Sequence, residues 1–148
     1  MLFRSDLWGF SDTDRHLVCS PQYHSVSIRF SAATLAAGGS VIFPGPFDAG
    51  LVARAIAEHR PNTTFMVPSH LQRLFALGPS LPPLDGFRLV AHAGAACPEP
   101  LKREAIDRFG ANTLWEFYGS TEGQFTACSA TEWMDRRSEE HTSELQSH

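Results

Sequence analysis

The residues with the clearest chemical potential lie at positions 118–123, where an aromatic, β-forming run ends in small, hydroxyl-bearing and acidic residues. Thr121 carries a hydroxyl that can donate a hydrogen bond to a phosphate oxygen, and Glu122 carries a hard oxygen ligand that suits Mg²⁺. Gly119 allows the backbone to turn closely beneath a ligand. Open α/β sheets bind ligands at the carboxyl ends of such strands. Together these features predict a nucleotide site.

The same stretch also fits an ordinary turn. In that interpretation Gly119 and Gly123 only end a strand, and the hydroxyls of Ser120 and Thr121 satisfy turn amides by local hydrogen bonds. Short Gly/Ser/Thr segments are common in loops. The rest of the chain therefore has to decide between the two interpretations.

Composition limits the classes of protein to which the chain can belong. Its 148 residues fit one ordinary domain, and a hydrophobic content of 43% is typical of a globular protein. A formal net charge of −4 without a basic cluster argues against a nucleic-acid partner. No stretch approaches the ~20 apolar residues of a transmembrane segment, and residues 1–11 do not resemble a signal peptide. The three cysteines are far apart and lack metal-binding spacing, so we expect a reducing, cytoplasmic location.

Apolar runs and helix signals alternate along the chain and predict the elements that position this site. Strands are expected at 17–20, 41–43, 63–67, 88–93 and 113–118. Helices are expected between them, at 26–37, 48–59, 68–78 and 98–109, with Asp48 as an N-cap. The alternation predicts an α/β fold with a mainly parallel sheet and flanking helices.

The segment Tyr118–Glu122 resembles the Tyr-Gly-x-Thr-Glu motif of the adenylate-forming (AMP-binding) superfamily, which includes acyl-CoA synthetases, luciferases and the adenylation domains of peptide synthetases. Other segments resemble the landmarks of this superfamily in the same order, namely Pro21–His24, Gly38–Ser40, Val67–Pro68 and Ala93–Pro98. The form His-Ala-Gly-Ala-Ala-Cys-Pro followed by Trp-Glu-Phe-Tyr-Gly-Ser-Thr-Glu-Gly is most similar to acyl-CoA synthetases acting on fatty or related carboxylic acids.

The resemblance implies a ligase whose substrates are a small carboxylic acid, ATP and CoA. It implies that Thr121 and Glu122 are catalytic, Thr121 through a hydrogen bond to the phosphate and Glu122 as a ligand of Mg²⁺. His24 would border the acyl pocket. The residues expected to bind ATP or AMP are Gly94, Ala95, Ala96, Tyr118, Gly119, Ser120 and Thr121, with Tyr118 packed on the adenine. The oligomeric state stays open.

Several of these assignments have a structural alternative. Tyr118 is alternatively a core aromatic with its hydroxyl at the rim, and His24 a hydrogen-bonded polar residue at a strand end. Cys97 and His92 suggest a nucleophile pair. The small residues before Cys97 nevertheless fit a base-binding loop better.

Parts of the family's machinery do not occur in this sequence. They are the phosphate loop that ends in lysine, the downstream aspartate that holds the ribose, and the C-terminal domain with its catalytic lysine. Lys102, the one lysine, is expected on the solvent face of its helix, beside Arg103 and Glu104. We therefore expect residues 1–136 to be an internal fragment of an AMP-binding domain, an incomplete portion of the enzyme's large domain that is inactive by itself.

Residues 137–148 resemble a translated sequencing adapter, so we expect a non-native, disordered tail there rather than a genuine acidic one. Two other functions stay open. One is a non-catalytic nucleotide-binding or interaction module that keeps the adenine wall. The other is an adenylation-domain fragment for another acid, such as an amino acid.

Overall fold

The computed structural model of the chain describes residues 8–120 and 123–137. Its strands are β1 (Arg15–Val18), β2 (Ser40–Ile42), β3 (Thr63–Met66), β4 (Leu89–His92), β5 (Leu114–Ser120) and β6 (Gly123–Ser129). Its helices are α1 (Ser25–Ala36), α2 (Ala49–His59), α3 (Pro68–Phe75) and α4 (Glu99–Phe109). A 3₁₀ turn occupies Gly78–Ser80, and residues 130–137 are helical.

The six strands form one sheet in the order β2-β1-β3-β4-β5-β6. Neighbouring strands are parallel from β2 to β5, and only β6 runs antiparallel to its partner β5. This arrangement confirms the predicted α/β fold with a mainly parallel sheet. The strand order reverses between β1 and β3, and such a switch point opens a crevice at the carboxyl ends of the strands.

Helices cover both faces of the sheet. On one face, the fully buried ring of Phe30 in α1 lies 5.9 Å from Trp8 and 6.0 Å from Phe65 between ring centroids. On the other face α2, α3 and α4 form the larger core, with Leu71 and Leu74 fully buried. Because both faces are covered, every residue of β3 and β4 is buried, as is typical of central parallel strands.

The amino ends of β1 and β4 are joined through one buried carboxylate. Arg88 donates to both carboxylate oxygens of Asp14, from Nη2 at 2.5 Å and from Nε at 2.8 Å, and Asn62 Nδ2 donates to Oδ1 at 3.1 Å. Arg88 also donates to the carbonyl oxygens of Trp8 and Gly9. Burial raises the pKa of Asp14, but the hydrogen bonds and charge of Arg88 outweigh it and hold that pKa below its ordinary value.

The predicted elements occur in the predicted order, and Asp48 caps α2 by accepting a hydrogen bond from the Leu51 backbone at 2.9 Å. Three described elements were not predicted: the 3₁₀ turn at Gly78–Ser80, strand β6 and the helical stretch at 130–137. Strand β5 also continues two residues beyond Tyr118. Arg137, which we predicted to begin the tail, is helical, and its Nη2 lies 3.2 Å from Oε2 of Glu99. The boundary of the tail stays a prediction.

Candidate functional site

Two clefts open side by side at the carboxyl ends of the parallel strands. The first, which we name the Tyr118 cleft, measures about 500 Å³ and is lined by Ala93, Gly94, Ala95, Ala96, Glu116, Phe117, Tyr118, Gly119, Thr126 and Cys128. The second, which we name the His24 cleft, measures about 510 Å³ and is lined by Ser20, Pro21, Tyr23, His24, Ser25, Val26, Phe65, Val67, His70, Ala93, Gly94, Phe117 and Gly119. Gly94 and Gly119 therefore belong to the wall that the two clefts share.

The loop between β4 and α4 supplies one side of the Tyr118 cleft. Gly94 begins this loop with φ of +92°, and a Cβ atom there would lie 3.2 Å from Cγ1 of Val67. A side chain at this position is disfavoured by the backbone conformation and by the close contact. The loop thus places the backbone of Gly94, Ala95 and Ala96 along the cleft, and these three predicted residues are brought together.

Strand β5 supplies the opposite side. Tyr118 is 71% exposed, so the alternative interpretation of it as a core aromatic is wrong. The pairing of β5 with β6 is irregular between Tyr118 and Gly119, and such irregularities commonly re-aim side chains beside functional sites. Ser120 is the last residue of β5. The predicted catalytic residues Thr121 and Glu122 lie outside the described residues.

His24 is at the N-cap position of α1 and borders the second cleft. Its side chain is exposed and makes no capping hydrogen bond. The ring instead packs on that of Tyr23, with centroids 4.7 Å apart and planes inclined by 46°. An imidazole in this position is accessible to a molecule in the His24 cleft.

The described lining of the His24 cleft contains no Asp, Glu, Lys or Arg. Its second imidazole, that of His70, packs on Phe47 with centroids 4.1 Å apart and accepts a hydrogen bond from the Val67 backbone at 3.3 Å. Burial, and then the charge of Arg73, lower the pKa of His70 to about 4. This ring is therefore neutral near pH 7.

A buried ion pair lies against the Tyr118 cleft, and it corrects the expectation for Lys102. This residue is only 2% exposed, and its ammonium forms a hydrogen-bonded ion pair with Glu116. Lys102 shares the buried face of α4 with Ala105 and Phe109, three and seven residues further on. The solvent-face prediction was wrong because the partner of the lysine is on another element, fourteen positions away in sequence.

His92 and Cys97 do not form a nucleophile pair. His92 is fully buried, and burial lowers its pKa to about 4, with Glu116 acting in the opposite direction and Lys102 in the same direction. Burial raises the pKa of Cys97, so the thiolate is disfavoured. The buried imidazole and the protonated thiol lack the reactivity that nucleophilic catalysis requires.

The described residues contain no group of three or more side chains able to hold a metal ion. Because Glu122 lies outside them, the predicted Mg²⁺ ligand stays a prediction.

None of the described helices is both long and apolar enough to span a membrane.

Comparison with known proteins gives consistent relatives. A family model described as AMP-binding enzyme matches residues 1–145. The medium/long-chain-fatty-acid–CoA ligase FadD8 of Mycobacterium tuberculosis is 32% identical over 116 residues, which are 78% of this chain and 20% of that protein. The indoleacetate–CoA ligase of Aromatoleum aromaticum is 32% identical over 119 residues, which are 79% of this chain and 23% of that protein.

Solved structures of similar proteins have the same fold as this chain over most of its length. The crystal structure of ATP-bound MatB from Rhodopseudomonas palustris matches with a TM-score of 0.72 and 29% identity, over 84% of this chain and 25% of MatB. The chain therefore spans about a fifth to a quarter of the length of the relatives that it matches.

Proposed function

Because the chain belongs to the AMP-binding enzyme family, we propose that it forms part of an ATP-dependent, AMP-forming acyl-CoA ligase for a fatty or related carboxylic acid. In the first step the carboxylate attacks the α-phosphorus of ATP, pyrophosphate leaves, and an acyl adenylate forms. In the second step the thiolate of CoA attacks the acyl carbon, and AMP leaves. The observation that carries the proposal is the shared wall of the two clefts, across which a nucleotide and an acid would meet.

The nucleotide belongs in the Tyr118 cleft. The exposed ring of Tyr118 offers a stacking surface for a base, and the backbone of Gly94–Ala96 lines the other side. Gly119 and Ser120 would lead from the base towards the phosphates. We assign Thr121 to the phosphate and Glu122 to Mg²⁺, which would neutralise phosphate charge when bound.

The acid belongs in the His24 cleft. The described lining, which contains no Asp, Glu, Lys or Arg, suits an alkyl or aryl acyl group, and His24 borders the place where that group would lie. No carboxylate in this lining is present to hold the amino group of an amino acid, which counts against the amino-acid alternative. FadD8 and the indoleacetate–CoA ligase are, by their names, ligases of acids with uncharged acyl groups.

We propose that ligase turnover requires the part of the enzyme that this chain does not span, because the chain covers only 20–23% of these curated relatives. Assayed alone, the purified 148-residue chain should show no exchange of labelled pyrophosphate into ATP. Robust exchange would contradict this part of the proposal. We also propose a cytoplasmic location, since Cys19, Cys97 and Cys128 are all unpaired.

Replacing Tyr118 with alanine tests the nucleotide site directly. We expect the affinity for AMP to fall about tenfold, because base–aromatic stacking contributes about 1–3 kcal/mol. The midpoint of thermal unfolding should barely change, because the side chain is exposed. Titration followed by NMR chemical shifts gives the affinity, and circular dichroism gives the midpoint.

Two matched variants complete this test. Tyr118→Phe keeps the aromatic ring and should bind AMP nearly as the unmodified chain does. Phe43→Ala removes another exposed aromatic side chain, one that lines neither cleft, and should leave the affinity unchanged. Equal AMP affinity in Tyr118→Ala and the unmodified chain would contradict the proposed base site.

A further inference from the structure

The imidazole of His70, which lines the His24 cleft, is held in one orientation. It lies in the first turn of α3, where its Nδ1 accepts a hydrogen bond from the backbone N–H of Val67 at 3.3 Å. Its ring stacks on that of Phe47, with centroids 4.1 Å apart and planes inclined by 17°. Phe47 in turn lies 4.8 Å from the guanidinium carbon of Arg73. The hydrogen bond and the stacking together fix the position of the imidazole.

The same hydrogen bond decides which nitrogen of the ring carries the proton. The ring is neutral near pH 7, because burial and then the charge of Arg73 lower its pKa to about 4. A neutral imidazole has one N–H group and one acceptor nitrogen. Since Nδ1 is the acceptor for the Val67 N–H, the proton is on Nε2. His70 therefore presents a hydrogen-bond donor at Nε2.

This donor has no partner in the part of the chain that the structure describes. Nε2 makes no hydrogen bond to a described residue, and it is not sealed from solvent. The described lining of the cleft contains no carboxylate that could accept its hydrogen bond. A ligand that covered this N–H group without accepting a hydrogen bond would leave it unpaired, at a cost in binding free energy. An acceptor on the ligand would avoid that cost.

We infer that the Nε2–H group of His70 selects acids whose acyl group carries an uncharged oxygen acceptor over acids whose acyl group is purely hydrocarbon. Carbonyl, ether and hydroxyl oxygens are acceptors of this kind. The inference rests on the proposed function, which places the acid in this cleft. The carboxylate belongs at the shared wall, where it would meet the nucleotide, whereas His70 lines the His24 cleft alone. His70 is thus a specificity-determining residue that contacts the acyl group and takes no part in the bond changes.

The test compares two acids of nearly equal size and shape, 4-acetylbenzoate and 4-isopropylbenzoate. Each is titrated into the 148-residue chain and followed by NMR chemical shifts. The isopropyl group has a methyl group where the acetyl group has its carbonyl oxygen, so it cannot accept the hydrogen bond. The unmodified chain should bind 4-acetylbenzoate about fivefold more tightly, because the donor stays unpaired beneath the isopropyl group. Burial of apolar surface alone would favour 4-isopropylbenzoate instead.

Two variants separate the donor of His70 from its hydrogen bond to Val67. In His70→Asn the side-chain oxygen can still accept from the Val67 backbone, but no atom reaches the position of Nε2, so the preference should be lost. In His70→Gln the longer side chain can place an amide N–H near that position, so the preference should be largely kept. A purely structural role would weaken both acids equally, and the ratio of the two affinities does not depend on the fraction of folded protein.

Gln72→Asn is the matched control. It shortens an exposed amide side chain on the same helix, one that lines neither cleft, and it should keep the full preference. The tautomer has a readout of its own that needs no acid. In a chain ¹⁵N-labelled at histidine, Nε2 of His70 should show the chemical shift of a protonated nitrogen and Nδ1 that of an unprotonated one, and His70→Asn identifies the two signals by their loss.

The outcomes separate this inference from the proposed function. Equal affinities for the two acids, or tighter binding of 4-isopropylbenzoate, would overturn the inference while leaving acid binding intact. A proton on Nδ1, an unchanged ratio in His70→Asn, or a loss in His70→Gln as complete as in His70→Asn would overturn the role of the Nε2–H group. Binding of neither acid would overturn both the inference and the proposed acid site.

Discussion

At the scale of single residues, two imidazoles are buried in the sheet in their neutral form. His16 lies on β1, where its Nδ1 is 2.9 Å from the hydroxyl of Thr63, and His92 lies at the end of β4. Burial lowers the pKa of each to about 4, and nearby acidic groups, Asp14 and Glu116 respectively, offset it only in part. Each ring therefore stays neutral in the native state at a pH where the unfolded chain binds a proton.

This difference predicts a loss of stability in acid. As the pH falls from about 6.5 towards 4, the unfolded chain gains protons at His16 and His92 that the native state does not bind, so unfolding becomes easier. By proton linkage, the free energy of unfolding falls by about 3 kcal/mol for each of these histidines between about pH 6.5, where this stabilisation is fully present, and about pH 4, where it is lost. Urea unfolding at several pH values between 4.5 and 7 measures the effect.

Replacing His92 with leucine should remove part of this pH dependence, and the control His59→Gln, which changes an exposed imidazole, should keep all of it. Parallel pH profiles for His92→Leu and the unmodified chain would show that the neutral imidazole is not a source of acid sensitivity.

The sequence could predict the small residues whose backbone lines the candidate site, but not the buried ion pair beside it. Gly94, Ala96 and Gly119 were foreseeable because they follow or end apolar runs, and the ends of parallel strands meet at one edge of a sheet. The pairing of Lys102 with Glu116 was not, because it depends on how α4 rotates over β5. Helical spacing alone places a lysine on the solvent face by default.

At the scale of elements, the parallel strands were predictable and the last two elements were not. Strands β1, β3 and β4 are buried runs bounded by turn residues, so their sequence reports their environment. Within the part of the chain that the structure describes, β6 is an edge strand that pairs with β5 alone, and an edge position relaxes the apolar pattern that reveals a central strand. Strand β6 forms because it pairs with β5, and nothing in its own sequence indicates that pairing.

The connection between β1 and β4 at their amino ends predicts a large effect of one substitution. In Arg88→Met the fully buried carboxylate of Asp14 loses both hydrogen bonds from the guanidinium and the charge that favours ionisation. Removing one partner of a buried ion pair costs about 3–5 kcal/mol, and the remaining hydrogen bonds from Ser11 and Asn62 place the expected loss near about 3 kcal/mol. Urea unfolding at neutral pH measures it.

The control is Arg54→Met, which changes an exposed arginine on α2 and should alter the unfolding free energy by less than about 0.5 kcal/mol. A loss below about 1 kcal/mol in Arg88→Met would mean that the backbone contacts of these segments hold the amino ends together without the ion pair.

At the scale of the whole molecule, three large apolar side chains are exposed near one edge of the sheet. Strand β2 is the edge opposite β6 and has three residues, and Phe43 directly after it is 60% exposed. On the adjacent helix α1, Ile28 and Leu35 are 52% and 58% exposed. Exposed apolar side chains next to an open sheet edge favour association between copies of a chain.

We therefore expect the isolated chain to self-associate through this side, and the double variant Leu35→Lys/Phe43→Lys to do so less. Its native stability should change little, because both side chains are exposed. Light scattering coupled to size-exclusion chromatography, over a range of protein concentrations, measures the apparent mass.

The two added lysines move the formal net charge from −4 to −2, and a smaller net charge by itself promotes association. A lower apparent mass can then come only from the lost apolar surface, and the control Ala32→Lys/Ala36→Lys, with the same charge on α1 and both large side chains kept, should associate at least as strongly as the unmodified chain. If the control and the double variant show the same mass, the open side of β2 is not where copies of the chain meet.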